Sequence, residues 1–184
     1  MVTVTPSGST TAAVTYTPIA TNTLGSAAAS VTFSNITGTY TDLVIIASVL
    51  GITGGAAGAM TNFLTFNGDT GANYSRSKLT GSSSSASTDR TSSANSMNLG
   101  NGNEANSNTL AFAPQIYHVF NYSNTTTYKT VLGRNNNVLS TGSRTAVTVG
   151  LWRSTAAITS ITLSTDSSGG WYANSVFTLY GIGA

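Results

Sequence analysis

Residues 144–184 read RTAVTVGLWRSTAAITSITLSTDSSGGWYANSVFTLYGIGA, and this stretch decides the fold class. Val147, Val149 and Leu151 alternate with small or polar residues. A period of two is typical of a β-strand that turns one apolar face toward a core. The pattern therefore predicts a strand here, with these three side chains in the core.

More strands are predicted on both sides of this one. Residues 158–163 continue the apolar pattern, and the runs 43–50 and Val176–Ile182 are apolar on both faces, as expected of strands in the middle of a sheet. The pattern of 43–50 alone also fits a buried helix, but its β-branched residues and the glycines after it favour a strand. Roughly ten such segments recur at intervals of about 8–12 residues, which predicts an all-β sandwich or barrel.

A tight turn is predicted at Asn67-Gly68, after an apolar strand at 62–66. Asn-Gly favours two-residue hairpin turns because both residues tolerate positive φ. Residues 74–79 are then expected to return as the partner strand, with Arg76 and Lys78 on its exposed side.

The length predicts one domain, which we place at residues 26–184. Within it, residues 81–108 are rich in Ser and Asn, and we expect a mobile surface loop. Residues 1–25 are expected to form an extended arm or a frayed tail with one edge strand. An arm would contact a partner by strand addition through the following side chains: Val2, Val4, Val14 and Tyr16.

The composition restricts the classes of partner. Only 7% of residues are charged, against roughly 25% in typical soluble domains. Neutral polar groups cost less to desolvate than charges, so such a surface suits permanent contact with neighbouring proteins. The seven basic residues are scattered, which argues against nucleic acid as a partner. The longest apolar run is half of what a membrane helix needs, and no secretory signal is evident, so we expect neither a membrane partner nor export.

Residues for catalysis or metal binding are sparse. His118 is the only histidine, no cysteine is present, and the five acidic residues never form a close pair. A hydrogen-bonded structural histidine is the expected role of His118. Asp69 lies in a turn that could suggest calcium, yet one carboxylate is too little charge for tight binding. We therefore predict a non-enzymatic protein with no catalytic residues, no cofactor and no metal.

Two aromatic residues, Trp171 and Tyr172, are candidate partner contacts. Aromatic faces can stack on sugar rings, but Trp152 and Trp171 lie near the ends of predicted strands, where they could instead fill the ends of a sandwich. Burial is the more common role of such side chains.

Four segments in a fixed order carry a family resemblance. They are YTDLV at 40–44, FNGDTGANY at 66–74, LWRSTAAITSI at 151–161 and FTLYGI at 177–182. From about Tyr16 onward, the chain resembles a family of small virion proteins and fibre-type domains of tailed bacteriophages. The resemblance implies a jelly-roll-like, antiparallel β-sandwich, usually a homotrimer, without enzymatic activity.

The resemblance leaves two functions open. The first is a capsid cement or decoration protein that stabilises the phage head by bridging subunits of the major capsid protein, with the virion as its location. The second is a receptor-binding tail or head fibre domain that recognises host glycans through Trp171, Tyr172 or the 81–108 segment. The short chain, its low charge and the expected arm favour the first.

Overall fold

The computed structural model describes residues 15–52, 59–82, 84–104, 111–139 and 142–183. Within these ranges the chain forms twelve strands and no helix, so the all-β prediction is confirmed. The strands are β1 (Tyr16–Thr23), β2 (Ser30–Phe33), β3 (Asp42–Gly51), β4 (Ala59–Phe66), β5 (Tyr74–Ser82), β6 (Ser85–Ala94), β7 (Met97–Glu104), β8 (Ala113–Phe120), β9 (Lys129–Leu139), β10 (Gly142–Trp152), β11 (Ile161–Thr165) and β12 (Val176–Ile182).

The strands form two antiparallel sheets that pack as a β-sandwich. Sheet A has the order β1-β12-β3-β8-β9-β10-β5-β6, and sheet B has the order β2-β11-β4-β7. A short parallel contact between β3 and β7 joins the sheets at Leu50–Asn103 and Gly51–Glu104. The jelly-roll topology stays a prediction.

The core lies between the two sheets. Sheet A contributes alternate residues of its central strands, such as Leu43 and Ile45 of β3 and Leu179 of β12. Sheet B contributes Leu64 and Phe66 of β4 in the same way. β12 lies inside sheet A between β1 and β3, as predicted, but its burial alternates, so only one of its faces is in the core.

The predicted orientation of β10 is wrong. Ala146, Thr148 and Trp152 are buried, whereas Val147 and Val149 face away from the core. Trp152 lies against Phe66 in the core, with 5.3 Å between the ring centroids. Because side chains alternate along a strand, burying this large ring places every second residue before it inside and turns the valines outward.

The predicted hairpin between β4 and β5 is also wrong, although its turn exists. Asn67 and Gly68 have φ of 52° and 67°, and the Asp69 N–H donates to the Phe66 carbonyl at 2.8 Å. However, β4 pairs with β7 and β11, while β5 pairs with β6 and β10. The turn therefore carries the chain from sheet B to sheet A.

Arg76 and Lys78 do not form an exposed basic face of β5. They share a face with Tyr74, whose side chain is fully buried, so both point inward. The side chain of Arg76 is only 7% exposed and forms a 2.6 Å ion pair with Asp89 of β6. Burial of Tyr74 fixes this orientation, by the same alternation as in β10.

The mobile loop expected at 81–108 is wrong over the described part of that range. Residues 81 and 82 end β5, which pairs with β6 from Tyr74–Ala94 to Ser82–Ser85, and β7 follows as a strand of sheet B. Met97 and Leu99 of β7 are buried, which agrees with the apolar pattern there. A Ser- and Thr-rich segment can form an edge strand, because such a strand pairs with a neighbour on one side only and its other edge stays in solvent. Residues 105–108 lie outside the described residues.

The N-terminal prediction is tested only from residue 15 onward. β1 is an edge strand on β12, with a register shift between Pro18 and Ala20, so the predicted edge strand is confirmed. Proline is tolerated there because an edge strand leaves N–H positions unpaired. Val2, Val4 and Val14 lie outside the described residues, and the arm stays a prediction.

Candidate interaction surface

The face of sheet A that points away from sheet B carries rows of apolar side chains, and we call it the outer A face. Each row consists of residues that are direct cross-strand partners on neighbouring strands. The first row is Tyr180, Val44, His118, Leu132 and Val149, and the second is Ile46, Ile116, Arg134, Val147 and Leu79.

Several of these apolar side chains are exposed to solvent. The exposed fractions are 56% for Val149, 52% for Leu79 and 40% for Ile46. Six adjacent strands, from β12 to β5, carry the two rows, which makes the apolar strip about 24 Å wide at about 4.8 Å per strand. The exposed Arg134 interrupts the second row on β9, and Val44 in the first row is buried. Exposed apolar patches larger than a few hundred Å² mark interaction sites.

A shallow groove of about 650 Å³ lies at one side of the outer A face. Leu79, Val147 and Val149 line it together with Thr88 and Arg90 of β6. Apolar residues from β5 and β10 therefore lie beside polar residues from the edge strand β6. Protein–protein interfaces have the same arrangement, with an apolar centre surrounded by a polar rim.

The outer face of sheet B is chemically different. Its side chains are mostly threonine and serine, and one row runs Thr32, Thr162, Thr65 across β2, β11 and β4. The hydroxyls of Thr32 and Thr162 lie 2.9 Å apart and hydrogen-bond to each other. Since these groups are also easily hydrated, sheet B gains little from being covered, and the asymmetry singles out the outer A face.

The one histidine lies in the outer A face beside an acid. His118 Nε2 is 3.0 Å from Asp42 Oδ2, and Asp42 Oδ1 accepts a 2.8 Å hydrogen bond from the Asn121 N–H. The imidazole also stacks on Phe120, with 4.0 Å between ring centroids. Asp42 and Phe120 both orient the ring, the first by a hydrogen bond and the second by stacking. These contacts connect the end of β8 and the residue after it to the start of β3.

Charged residues elsewhere in the described ranges suggest no metal centre. No three His, Asp or Glu side chains of the described residues are close enough to hold a metal ion. Asp69, the residue considered for calcium, uses its carboxylate to accept hydrogen bonds from Gly71, Asn73 and Trp152. In the part of the chain that the structure describes, no helix is long and apolar enough to span a membrane.

Of the predicted contact residues, Tyr16 belongs to the outer A face. It is exposed and meets Tyr180 edge to face, with 6.0 Å between centroids. Tyr172 lies in the link between β11 and β12, where its N–H donates to the Leu50 carbonyl, and it is 38% exposed. The structure does not bring these two tyrosines into one site.

Trp171 is not available to a partner in this conformation, which corrects its assignment as a contact residue. Its side chain is 1% exposed, packs on Phe177 and donates from Nε1 to Asn62 Oδ1 at 3.2 Å. The burial interpretation of both tryptophans is therefore right, because Trp152 is buried as well. A large ring beside two glycines fills the end of the sandwich.

Comparison with known proteins gives no relative. No protein-family model matches this chain, and no curated protein or solved structure is significantly similar to it. The features that bear on function are therefore the surface chemistry of the described residues and the resemblance in the sequence.

Sequence reasoning missed the residues that matter most in this surface, Val149 and Leu79. Both faces of β10 have residues that fit a strand, so alternation alone does not say which face is buried. The signal that could have decided it is the position of Trp152, an even-numbered residue in a strand whose valines are odd-numbered. For β5, Tyr74 gives the same information about Leu79.

Proposed function

We propose that this protein is a non-enzymatic structural protein of a tailed-phage virion, a cement protein that binds the assembled head through the outer A face. The observation that carries the proposal is the exposed apolar strip from Ile46 to Leu79. The resemblance to small virion proteins and the 7% content of charged residues support the same conclusion.

The chemistry of the outer A face suits a neutral protein surface as partner. Its apolar rows contain a single basic side chain, Arg134, and a single histidine, His118. Covering the strip therefore desolvates few charges, which keeps the cost of association low. The partner we propose is the major capsid protein, at joints between neighbouring subunits, where a flat sheet can contact two of them.

A single copy would bind only weakly through this face. An apolar patch of about 400 Å², within the usual range of roughly 300–600 Å² for the largest patch on a monomer, would contribute roughly 10 kcal/mol on burial at about 25 cal/mol per Å². Association itself costs roughly 4–15 kcal/mol, so the two contributions nearly cancel. Linked copies would bind more tightly, because after the first copy has bound, each further contact forms within the same complex and costs less association free energy. A homotrimer, which the resemblance implies, and the predicted N-terminal arm with Val2, Val4 and Val14 would supply such contacts.

A protein that binds the assembled shell and not free subunits stabilises the shell by mass action. The test adds purified protein to phage heads that lack it and measures the copies bound and the temperature at which heads release DNA. We expect binding and a higher release temperature with the unmodified protein. Leu79→Lys and Val149→Lys should abolish both effects, since each places a charge in the apolar strip.

The matched control is Thr32→Lys, which adds the same charge to the outer face of sheet B. It should bind as the unmodified protein does. Equal loss of binding in all three variants would contradict the assignment to the outer A face. Association of the protein only with itself, without binding to heads, would overturn the proposed function.

A further inference from the structure

A second cavity lies on the inner side of the β5–β6 hairpin, facing away from the outer A face. Its volume is about 440 Å³, within the range of roughly 300–1,000 Å³ typical of small-molecule sites. Four hydroxyl side chains line it, two from each strand of the hairpin: Thr80, Ser82, Ser85 and Ser87. Asn101 of β7 and Arg144 of β10, the cross-strand partner of Ser82, also line the cavity.

Positive charge exceeds negative charge around this cavity. Lys78 and Arg144 line it, and Asp89 is the one acid among the lining residues. Asp89 is already engaged, because its Oδ2 pairs with Arg76 Nη2 at 2.6 Å. The Lys78 ammonium lies farther away, at 3.9 Å from the same oxygen. Lys78 and Arg144 therefore retain most of their capacity to bind an anionic group.

The electrostatics of Lys78 agree with this excess of cations. Burial and then the neighbouring Arg76 lower the pKa of Lys78, and Arg144 acts in the same direction, while Asp89 opposes them. A bound anion would compensate charge that the hairpin itself does not neutralise.

We infer that this cavity binds an acidic sugar, a hexose-sized ring that carries one carboxylate. Arg144 and Lys78 bind the carboxylate, the first as a planar fork and the second as a point charge. Thr80, Ser82 and Ser87 are placed to exchange hydrogen bonds with the ring hydroxyls, and Asp89 adds an acceptor.

Two features favour a sugar over other anions. The cavity is much larger than a phosphate or sulfate ion, and the hydroxyl groups along both strands of the hairpin suit a ligand with several hydroxyls of its own. None of the described lining residues is aromatic, so a nucleotide base would have no ring to stack on. A carboxylate-bearing sugar uses both the cations and the hydroxyls.

The test is a titration of the protein with sodium glucuronate, followed by amide NMR shifts and by calorimetry. Glucose and inorganic phosphate are titrated in parallel. We expect glucuronate to shift amides of β5, β6 and Arg144, with affinity that falls as salt is added.

Arg144→Gln and Lys78→Gln should each weaken binding about tenfold, the effect of losing one charge-assisted hydrogen bond. Arg134→Gln, which removes a cation from the outer A face, should leave binding unchanged, and melting curves check that each variant is folded.

Each other result overturns the inference. Equal binding of glucose would show that the cations are not used, and equal binding of phosphate would show an anion site without sugar recognition. Absence of glucuronate-induced shifts at β5 and β6 would exclude the site. Lys78 also lines the groove of the outer A face, whereas, of the two, Arg144 lines only this cavity and Val149 only that groove. Loss of glucuronate binding in Arg144→Gln with head binding retained, or the reverse in Val149→Lys, therefore distinguishes failure of one proposal from failure of the other.

Discussion

The indole Nε1 of Trp152 donates a 2.6 Å hydrogen bond to Oδ2 of Asp69, which joins the end of β10 to the turn after β4. The two residues are 83 positions apart in the sequence. Asp69 also accepts hydrogen bonds from Gly71 and Asn73. This carboxylate therefore holds the crossing between the two sheets in place.

Stability at acid pH should depend on this carboxylate. The Trp152 indole, followed by Asn73 and Gly71, holds the pKa of Asp69 below its usual value of 3.8, although partial burial opposes them. A lowered folded-state pKa gives stability that is present above pH about 4 and is lost as the pH falls through the folded pKa. Asp69→Asn should lower the free energy of unfolding by about 1 kcal/mol at pH 7, and the difference should disappear at low pH. Urea denaturation across this pH range measures it.

The control for this coupling is Trp152→Phe, which keeps an aromatic ring and removes the N–H donor. In the double variant, the Asp69→Asn effect should be smaller than in the unmodified protein, because the largest contribution to the lowered pKa is gone. Strictly additive effects would show that the hydrogen bond contributes nothing to stability.

The orientation of β10 is testable with two adjacent substitutions. Val149 is exposed, so Val149→Thr should change the free energy of unfolding by less than about 0.5 kcal/mol. Gly150 faces the core, where a Cβ atom would collide with the Met97 side chain. Gly150→Ala should therefore cost about 1–3 kcal/mol through overpacking. Thermal or urea unfolding compares them, and the opposite ranking would restore the orientation predicted from the sequence.

The fold class could be predicted from the sequence, but the contacts that decide which face of each strand is buried could not. Strand composition and turn spacing are local properties, and they predict most strands within a few residues. The faces of β10 and β5 depend on where Trp152 and Tyr74 are buried, which is decided by packing between sheets. The Asn67-Gly68 turn was predictable, whereas its role as a crossing depends on Asp69 meeting a tryptophan from a distant strand.

For the candidate interaction surface, the sequence likewise predicted its general chemistry but not its location. Low charge predicted a surface for contact, since composition alone sets how costly a surface is to desolvate. Its location was not predictable because Leu79 and Val149 become neighbours only through the pairing of β5, β10 and their flanking strands. Tyr16 could be placed in an edge strand because Val14 and Tyr16 alternate with threonines in the sequence, and its role as a partner contact stays a prediction.

The ion pair of Arg76 with Asp89 should respond unequally to loss of either partner. Asp89 is half exposed and stays hydrated on its own, whereas the Arg76 side chain is 7% exposed. Asp89→Asn leaves a buried cation without a counter-charge and should cost about 2 kcal/mol. Arg76→Met should be close to neutral, because an apolar side chain replaces a guanidinium with unsatisfied atoms.

Arg90→Met serves as the control for this pair, since Arg90 is an exposed cation next to Asp89 and should change stability by less than about 0.5 kcal/mol. The measurement is the free energy of unfolding in urea for all three variants. A larger loss in Arg76→Met than in Asp89→Asn would contradict the asymmetry.

Asn137 of β9 offers a stabilising substitution. Its side chain is completely buried, and neither its Nδ2 nor its Oδ1 has a hydrogen-bond partner. An unsatisfied buried amide costs about 1–3 kcal/mol, so Asn137→Leu, which has a similar volume, should raise the free energy of unfolding by about 1 kcal/mol.

The matched control is Asn62→Leu in β4. Asn62 donates to Gln115 and accepts from the Trp171 indole, so the same change there should cost about 2 kcal/mol. If Asn137→Leu is destabilised as much as Asn62→Leu, the Asn137 amide has partners in solution, such as a buried water, and the prediction is wrong.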